Sequence, residues 1–298
     1  MINGIINVYK EVGFTSHDVV AVIRGISGQK KVGHTGTLDP DAIGVLPVCL
    51  GSGTKLCDML TDRDKEYEAH MILGFVTDTQ DTTGQILEKH EVTCTEEEVR
   101  EAIYSFLGEY MQVPPMYSAL KVDGKKLYEL ARAGKEVERQ ARPITIHEIE
   151  ILEMNLPEVF IRVSCSKGTY IRTLCHDIGR KLGCGGTMSA LKRTRVGEFT
   201  LDRALTLRCL QGLKEKNLLE SVVCSVDECF ARYPALHVAG EHQKLIDNGN
   251  SFYPSQTLEK EKHPEGQWVR VYNEEGRFYG IYAFENSRHW YKPVKMFL

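Results

Sequence analysis

The chain has 298 residues, 42% of them hydrophobic and 26% charged, the balance of a globular protein able to bury a sizeable core. A formal net charge of −4 excludes a uniformly basic polyanion binder, so any nucleic-acid contact must come from segregated charge. No apolar run approaches the roughly 20 residues that span a bilayer, no basic-then-apolar leader opens the chain, and none of the nine cysteines forms a Cys-x-x-Cys pair, so a cytoplasmic location, reduced thiols and no metal are expected.

After an apolar start, Thr15-Ser16-His17-Asp18 is a capping pattern, Val19, Val20, Ile23 and Ile26 follow at helical spacing, and Gly28 closes the helix. Residues 33–53 are rich in Gly, Thr, Asp and Pro and predict a loop with strands at its edges. Tyr67, Ala69, Met71 and Leu73 alternate with polar residues as in a half-buried strand. Thr95-Glu96-Glu97-Glu98 opens a second capped helix with Val99, Ile103, Phe106 and Leu107 on one face. From Val113 to Pro143 there are prolines at both ends and no long period. That stretch reads as an excursion with one short helix around Tyr128, Leu130 and Ala131, and ordered loops of such length are usually functional.

Val159, Ile161, Val163 and Cys165 alternate as another strand. Lys167-Gly168-Thr169 turns into a helix that buries Ile171, Leu174, Cys175, Ile178 and Leu182 and ends at Gly183. Beyond about Tyr233 a short helix (His242 to Asp247) precedes small strands, with Glu274-Glu275-Gly276-Arg277 as a hairpin turn between runs 269–272 and 278–282. Interleaved strands and helices without repeating βαβ units predict an α+β fold with a mixed or antiparallel central sheet and a separate, small β-rich C-terminal module.

Charge is segregated. Residues 162–195 carry eight basic side chains and one acidic, and residues 121–142 carry seven basic and four acidic. Lys30-Lys31 adds a pair just before the glycine-rich stretch. Such runs permit polyanion binding, and on charge alone a solvated face explains each equally well.

Gly33-His34-Thr35-Gly36-Thr37-Leu38-Asp39-Pro40-Asp41-Ala42-Ile43-Gly44-Val45-Leu46-Pro47 is the most unusual segment. Its glycines permit tight turns, its threonines can lock a loop through backbone hydrogen bonds, and Pro40 biases Asp39 away from helix. The loop is suited to presenting one carboxylate; a plain Asp-Pro turn is the competing reading. No Gly-Lys-Ser/Thr ends it, unlike a phosphate-binding loop, and no apolar strand immediately precedes Asp39, unlike the paired-aspartate phosphatases.

This segment, with Gly51, resembles the signature of the TruB-type tRNA pseudouridine synthases. The likeness continues in order through Lys65-Glu66-Tyr67, Gly74 with Thr77-Asp78-Thr79-Gln80-Asp81, Gln112 to Lys121, Gly124 to Arg132, Gly168-Thr169-Tyr170-Ile171-Arg172-Thr173-Leu174 and Leu191 to Phe199. It spans about residues 1 to 230. Ile43 and Lys192 depart mildly, standing where Thr or Ser and Arg are common.

The resemblance implies a catalytic domain over residues 1–232, with 113–143 as a thumb-like RNA clamp, and a PUA-like RNA-binding domain over 233–298. It implies isomerisation of uridine to pseudouridine at position 55 in the tRNA T-loop, acting on a flipped-out nucleotide without cofactor or metal. Asp39 is then the catalytic carboxylate, Arg172 its ion-pair partner, and Tyr67 the ring against the uracil. His34 fills the vacated stack, and Gly36, Thr37, Tyr170 and Leu191 line the substrate site. Lys30, Lys31, Lys121, Lys125, Lys126, Arg132, Lys192 and Arg193 are expected on the RNA backbone. The expected partner is the T-arm stem-loop of tRNA, met by a monomer without guide RNA. A non-catalytic RNA binder, a phosphohydrolase using Asp39 and Asp41, and a guide-dependent synthase are the competing classes.

Overall fold

The structure is a computed structural model describing residues 1–122 and 124–298; Asp123, one of the acids of the basic excursion, lies outside it. Apolar alternation builds the centre. In β1 (Gly4–Lys10) Ile6 and Val8 face helix α1 (Ser16–Ser27), whose Val19, Val20, Ile23 and Ile26 are buried against them. Each such side chain stabilises the fold by about 1.5–3 kcal/mol. Thr15 and Asp18 form the reciprocal capping bonds of α1, and Gly28 ends it in the left-handed region. The chain returns through β2 (Val32–His34) and β3 (Ile43–Leu50), then the short helix α2 (Cys57–Thr61) leads into β4 (Lys65–Leu73), whose odd-numbered residues are all buried.

A hairpin of β5 (Phe75–Thr77) and β6 (Ile86–Lys89) follows, then helix α3 (Glu96–Tyr104) under its Thr95 capping box. Helix α3 stops at Tyr104, one turn short of the expected face. Phe106 still packs on the core from the following turn, while Leu107 stays 46% exposed before Gly108 at φ +89°. Strand β7 (Gly108–Gln112) pairs with the long β10 (Arg142–Asn155), Gln112 opposite Arg142 and Met111 opposite Pro143. Pro143 therefore belongs to the sheet, and the excursion proper is residues 113–141. It holds a two-stranded ribbon, β8 (Lys121–Val122) and β9 (Lys125–Lys126), and helix α4 (Leu127–Arg132).

Strand β11 (Glu158–Cys165) then leads to helix α5 (Ile171–Leu182), closed by Gly183 at φ +75°. Strand β12 (Gly186–Val196) follows, with the short β13 (Phe199–Thr200) beside it and helix α6 (Leu207–Glu215) after. Among the described residues these strands make one nine-stranded sheet in the order β1-β3-β12-β4-β11-β10-β7, with β2 and β13 attached to it. All its neighbours are antiparallel except β3 and β12. Helices α3 and α5 cover one half of the core, α1 and α6 the other.

The C-terminal strands form a second, four-stranded sheet: β14 (Ala235–Val238), then helix α7 (Gln243–Asp247), β15 (Trp268–Asn273), β16 (Phe278–Glu285) and β17 (Trp290–Met296). Residues 274–277 connect β15 to β16 as a hairpin. Ile281 and Phe297 of this module pack with Phe230, Ile5, Leu56 and Leu60, so it is seated on the first sheet by an apolar contact.

Candidate active site

The segment after β2 is held from below. At the end of β1 the buried Lys10 donates its Nζ to the carbonyls of Glu11 (3.2 Å), Pro40 (2.9 Å) and Ala42. Ser16, the first residue of α1, accepts from Leu38 N at 2.9 Å, and the Leu38 side chain is buried in the core. Ala42 N closes a turn onto Asp39 O at 3.1 Å. Gly44 has φ +108°, and a Cβ there would stand 2.2 Å from the carbonyl oxygen of Arg193, so only glycine lets β3 lie against β12. Asp39 is thereby fixed at the rim with its side chain 42% exposed.

A second element arrives from the far end of the chain. Gln112, at the end of β7, accepts from Tyr170 N (2.8 Å) and donates to Tyr170 O (3.1 Å), which pins the start of α5. From there Arg172, 7% exposed at its side chain, reaches Asp39: Nε lies 3.1 Å from Oδ2 and Nη2 3.4 Å from Oδ1. Its remaining donors meet Asp81 Oδ2 (3.3 Å), Thr79 O (3.0 Å) and Tyr117 O (2.8 Å). Asp81 is itself held by the hydroxyls of Thr79 and Thr83. The guanidinium thus bridges two carboxylates in a forked, charge-assisted arrangement.

Burial pushes the Asp39 carboxyl above its ordinary 3.8; the charge of Arg172 pulls it back, and Asp81 adds to the upward push. Tyr67, on β4, is buried, and the charge of Asp39 reaches its phenol; burial raises that phenol and the cation of Arg193 opposes the rise. Tyr170 is half-buried beside Arg172 and Asp39, its phenol also raised by burial. His34 ends β2. Burial, then the charge of His17, holds it below 6.5, and its Nδ1 accepts from Gly36 N at 3.3 Å, which leaves the proton on Nε2. The ring of His17 stands edge-on to it at 5.6 Å. Gly36, at φ +144°, is half-buried, Thr37 exposed and Leu191 half-buried. Among the described residues no group of three or more His, Cys, Asp and Glu side chains is placed to hold a metal ion.

The basic residues separate into classes. Lys30, Lys31, Lys121, Lys125 and Arg132 are exposed. Lys126 and Arg132 flank the ring of Tyr128 at 5.3 and 5.4 Å, which makes a cationic, aromatic tip on the excursion. Lys192 is already engaged with Glu68 at 2.9 Å, an acid it shares with Arg162. Arg193 corrects the expectation of an RNA contact. It is 1% exposed and turned inward, Nε on Val45 O at 2.8 Å and Nη2 on Gly36 O at 3.3 Å, so it cannot reach a phosphate. Sequence reasoning assigned no role to Lys10, Gln112 or Asp81; only the run Thr77 to Asp81 hinted at the last, and nothing in it sets Asp81 apart from Asp78.

The model of the TruB family pseudouridylate synthase N-terminal domain matches residues 24–171, and that of the tRNA pseudouridylate synthase B C-terminal domain matches 172–231. Similar proteins named tRNA pseudouridine synthase B occur in Lachnoclostridium phytofermentans (52% identical, 99% of this chain and 100% of that one) and Alkaliphilus oremlandii (48%, 99% and 97%). Among solved structures, a chain of an H/ACA RNP bound to a substrate RNA containing 2'-deoxyuridine superposes with a TM-score of 0.73 at 25% identity, covering 99% of this chain and 85% of that one. A chain of a Cbf5-Nop10-Gar1 complex gives 0.72 at 27%, with 99% and 85% covered. The ordered motifs, the two adjoining model matches and near-full-length relatives carry one conclusion: the chain belongs to the TruB family of pseudouridylate synthases.

Proposed function

We propose that this protein isomerises uridine to pseudouridine in tRNA, at position 55 of the T-loop, with Asp39 as the catalytic carboxylate. The observation that carries this reading is the forked meeting of Arg172 with both oxygens of Asp39 at a rim where the carboxylate stays open to a substrate. The N–C glycosidic bond breaks, the uracil turns, and a C–C bond forms, with no group donated and nothing oxidised. An ionised, aimed carboxylate is what such a step needs, as nucleophile or as electrostatic support.

The target base lies inside a folded loop and is extruded at a cost of about a few kcal/mol. Tyr67 lies against the uracil, His34 takes the vacated place in the stack, and Gly36, Thr37, Tyr170 and Leu191 line the pocket. Residues 113–141 clamp the T-arm through Lys121, Lys125, Lys126 and Arg132, with Lys30, Lys31 and Lys192 as further backbone contacts that position without specifying. Residues 1–232 are the catalytic domain and 233–298 the PUA-like RNA-binding one. The protein works as a monomer in the cytoplasm without guide RNA or cofactor. Among the described residues no helix is long and apolar enough to cross a membrane.

Incubation with an unmodified T-arm hairpin, followed by mapping of any converted uridine, tests the reading. Conversion at the T-loop position and nowhere else supports it. Binding of the hairpin without conversion makes the protein an RNA binder.

A further inference from the structure

Arg193 carries a full charge in a place where charge is expensive. It is 1% exposed and makes no ion pair among the described residues, while its neighbours Lys192 and Arg195 take Glu68 and Glu66. A buried, unpaired cation costs several kcal/mol even after relaxation. Its hydrogen bonds go to two main-chain carbonyls, those of Val45 and Gly36. A neutral amide side chain serves a carbonyl with far less desolvation, so those acceptors do not account for a guanidinium.

What does use a charge is the phenol alongside. In the β12–β4 ladder Arg193 lies directly opposite Tyr67, and both side chains are buried. Directly opposed residues of antiparallel strands project to the same face as close neighbours. Lys65, a second cation near Arg193, is turned away: its Nζ donates to Thr61 O and Arg63 O, both at 2.7 Å. Arg193 is thus the cation that answers to Tyr67. Burial raises the phenol, and the charge of Arg193 opposes that rise.

We propose that Arg193 is a positioning residue for the reaction, one that donates to the phenol oxygen of Tyr67, leaves the hydroxyl hydrogen free for the nucleotide pocket, and supports the phenolate when that hydrogen departs. This rests on the reading above that Tyr67 meets the extruded uracil. In the isomerisation, C5 of uracil loses its proton as it takes the sugar, and N1 gains one. The phenol hydrogen goes to N1 once the glycosidic bond has broken, and the phenolate left behind takes the C5 proton after the C–C bond has formed, which restores the phenol; the buried guanidinium supports the anion between the two transfers. The same side chain fixes Gly36 through its carbonyl, so phenol and Asp39 loop are held by one group.

The test compares Arg193→Met and Arg193→Lys in the full chain, by single-turnover conversion of a T-arm hairpin and by its Kd. Methionine keeps length without charge, and a melting curve checks that the fold is kept. Arg193→Met slows conversion about 30-fold with Kd within about two-fold, and Arg193→Lys recovers most of the rate. Equal slowing in both variants, or a loss carried by Kd, overturns the inference and leaves Arg193 as a brace for the two carbonyls. In a Tyr67→Phe background the loss from Arg193→Met shrinks to less than about three-fold; an undiminished loss likewise overturns it. A wild-type protein that converts no uridine, or a fully active Tyr67→Phe, refutes instead the reading of the site on which the inference stands.

Discussion

Arg172→Lys keeps the charge opposite Asp39 and removes the fork. Four N–H groups of the guanidinium donate, to one oxygen of Asp39, one of Asp81 and the carbonyls of Thr79 and Tyr117, and Nε stands 3.1 Å from the second oxygen of Asp39 as an ion-pair contact. A lysine offers three donors from a single point, so it reaches at best one oxygen of Asp39 while holding Asp81. One charge-assisted contact to the Asp39 carboxylate is lost, about 1.5–3 kcal/mol, which corresponds to about a 10- to 150-fold fall in rate if Asp39 carries the chemistry and the contact aims it in the transition state. The side chain is 7% exposed and cannot touch a phosphate, so the Kd for tRNA should move by less than about three-fold. Single-turnover conversion and filter binding, run side by side, read the two quantities. In Arg172→Gln the charge that opposes the upward push on Asp39 is gone as well, and the acid limb of the rate profile moves further up in pH. A parallel loss of rate and affinity in Arg172→Lys would refute the reasoning, and so would an unchanged rate.

Asp39→Asn should abolish conversion while tRNA affinity stays within about three-fold of wild type; near-normal conversion removes Asp39 from the chemistry. The same substitution should raise the melting temperature at pH 7. Because burial holds the folded-state carboxyl above 3.8, the stability linked to its proton is complete below that value and is lost as pH rises through the raised one. The gap between variant and wild type should therefore close as pH falls toward 3.8, and a gap that widens contradicts the sign. Changing Lys125 and Lys126 together to Gln should make the log–log salt dependence of tRNA binding shallower by about 1–2; an unmoved slope takes both out of the interface. Gly44→Ala should destabilise the fold by about 2–4 kcal/mol in urea unfolding, since its Cβ would lie 2.2 Å from a strand carbonyl at φ +108°. A loss under about 1 kcal/mol would mean that β3 and β12 separate cheaply.

Features with a local cause were legible in the sequence. Thr15 with Asp18 and Thr95 with Glu98 are three apart, and both capping boxes form. The alternation of β4 and β11 and the stop at Gly183 follow likewise from spacing and backbone freedom. Strand β12 was not legible, because Lys192-Arg193-Thr194-Arg195 has the composition of a solvated surface. Its insertion between β3 and β4, parallel to one and antiparallel to the other, is a long-range event that buries Arg193. A count of cations treats Arg193 and Lys125 alike; only the sheet order separates them. Asp81 escaped for a related reason, since its significance lies in a side chain 91 residues away.

The excursion departs from Gln112 and returns at Arg142, residues that face each other on β7 and β10 at the outer flank of the sheet. Such an arm can lengthen, shorten or change its tip without disturbing the strands beneath, so if it clamps RNA as proposed, the range of shapes it embraces is free to drift. One thread limits that freedom: the carbonyl of Tyr117, on the same arm, is an acceptor for Arg172. An arm lifted off the body would strip that acceptor away and loosen the guanidinium behind Asp39, so that under the proposed function grip and reactivity would rise and fall together.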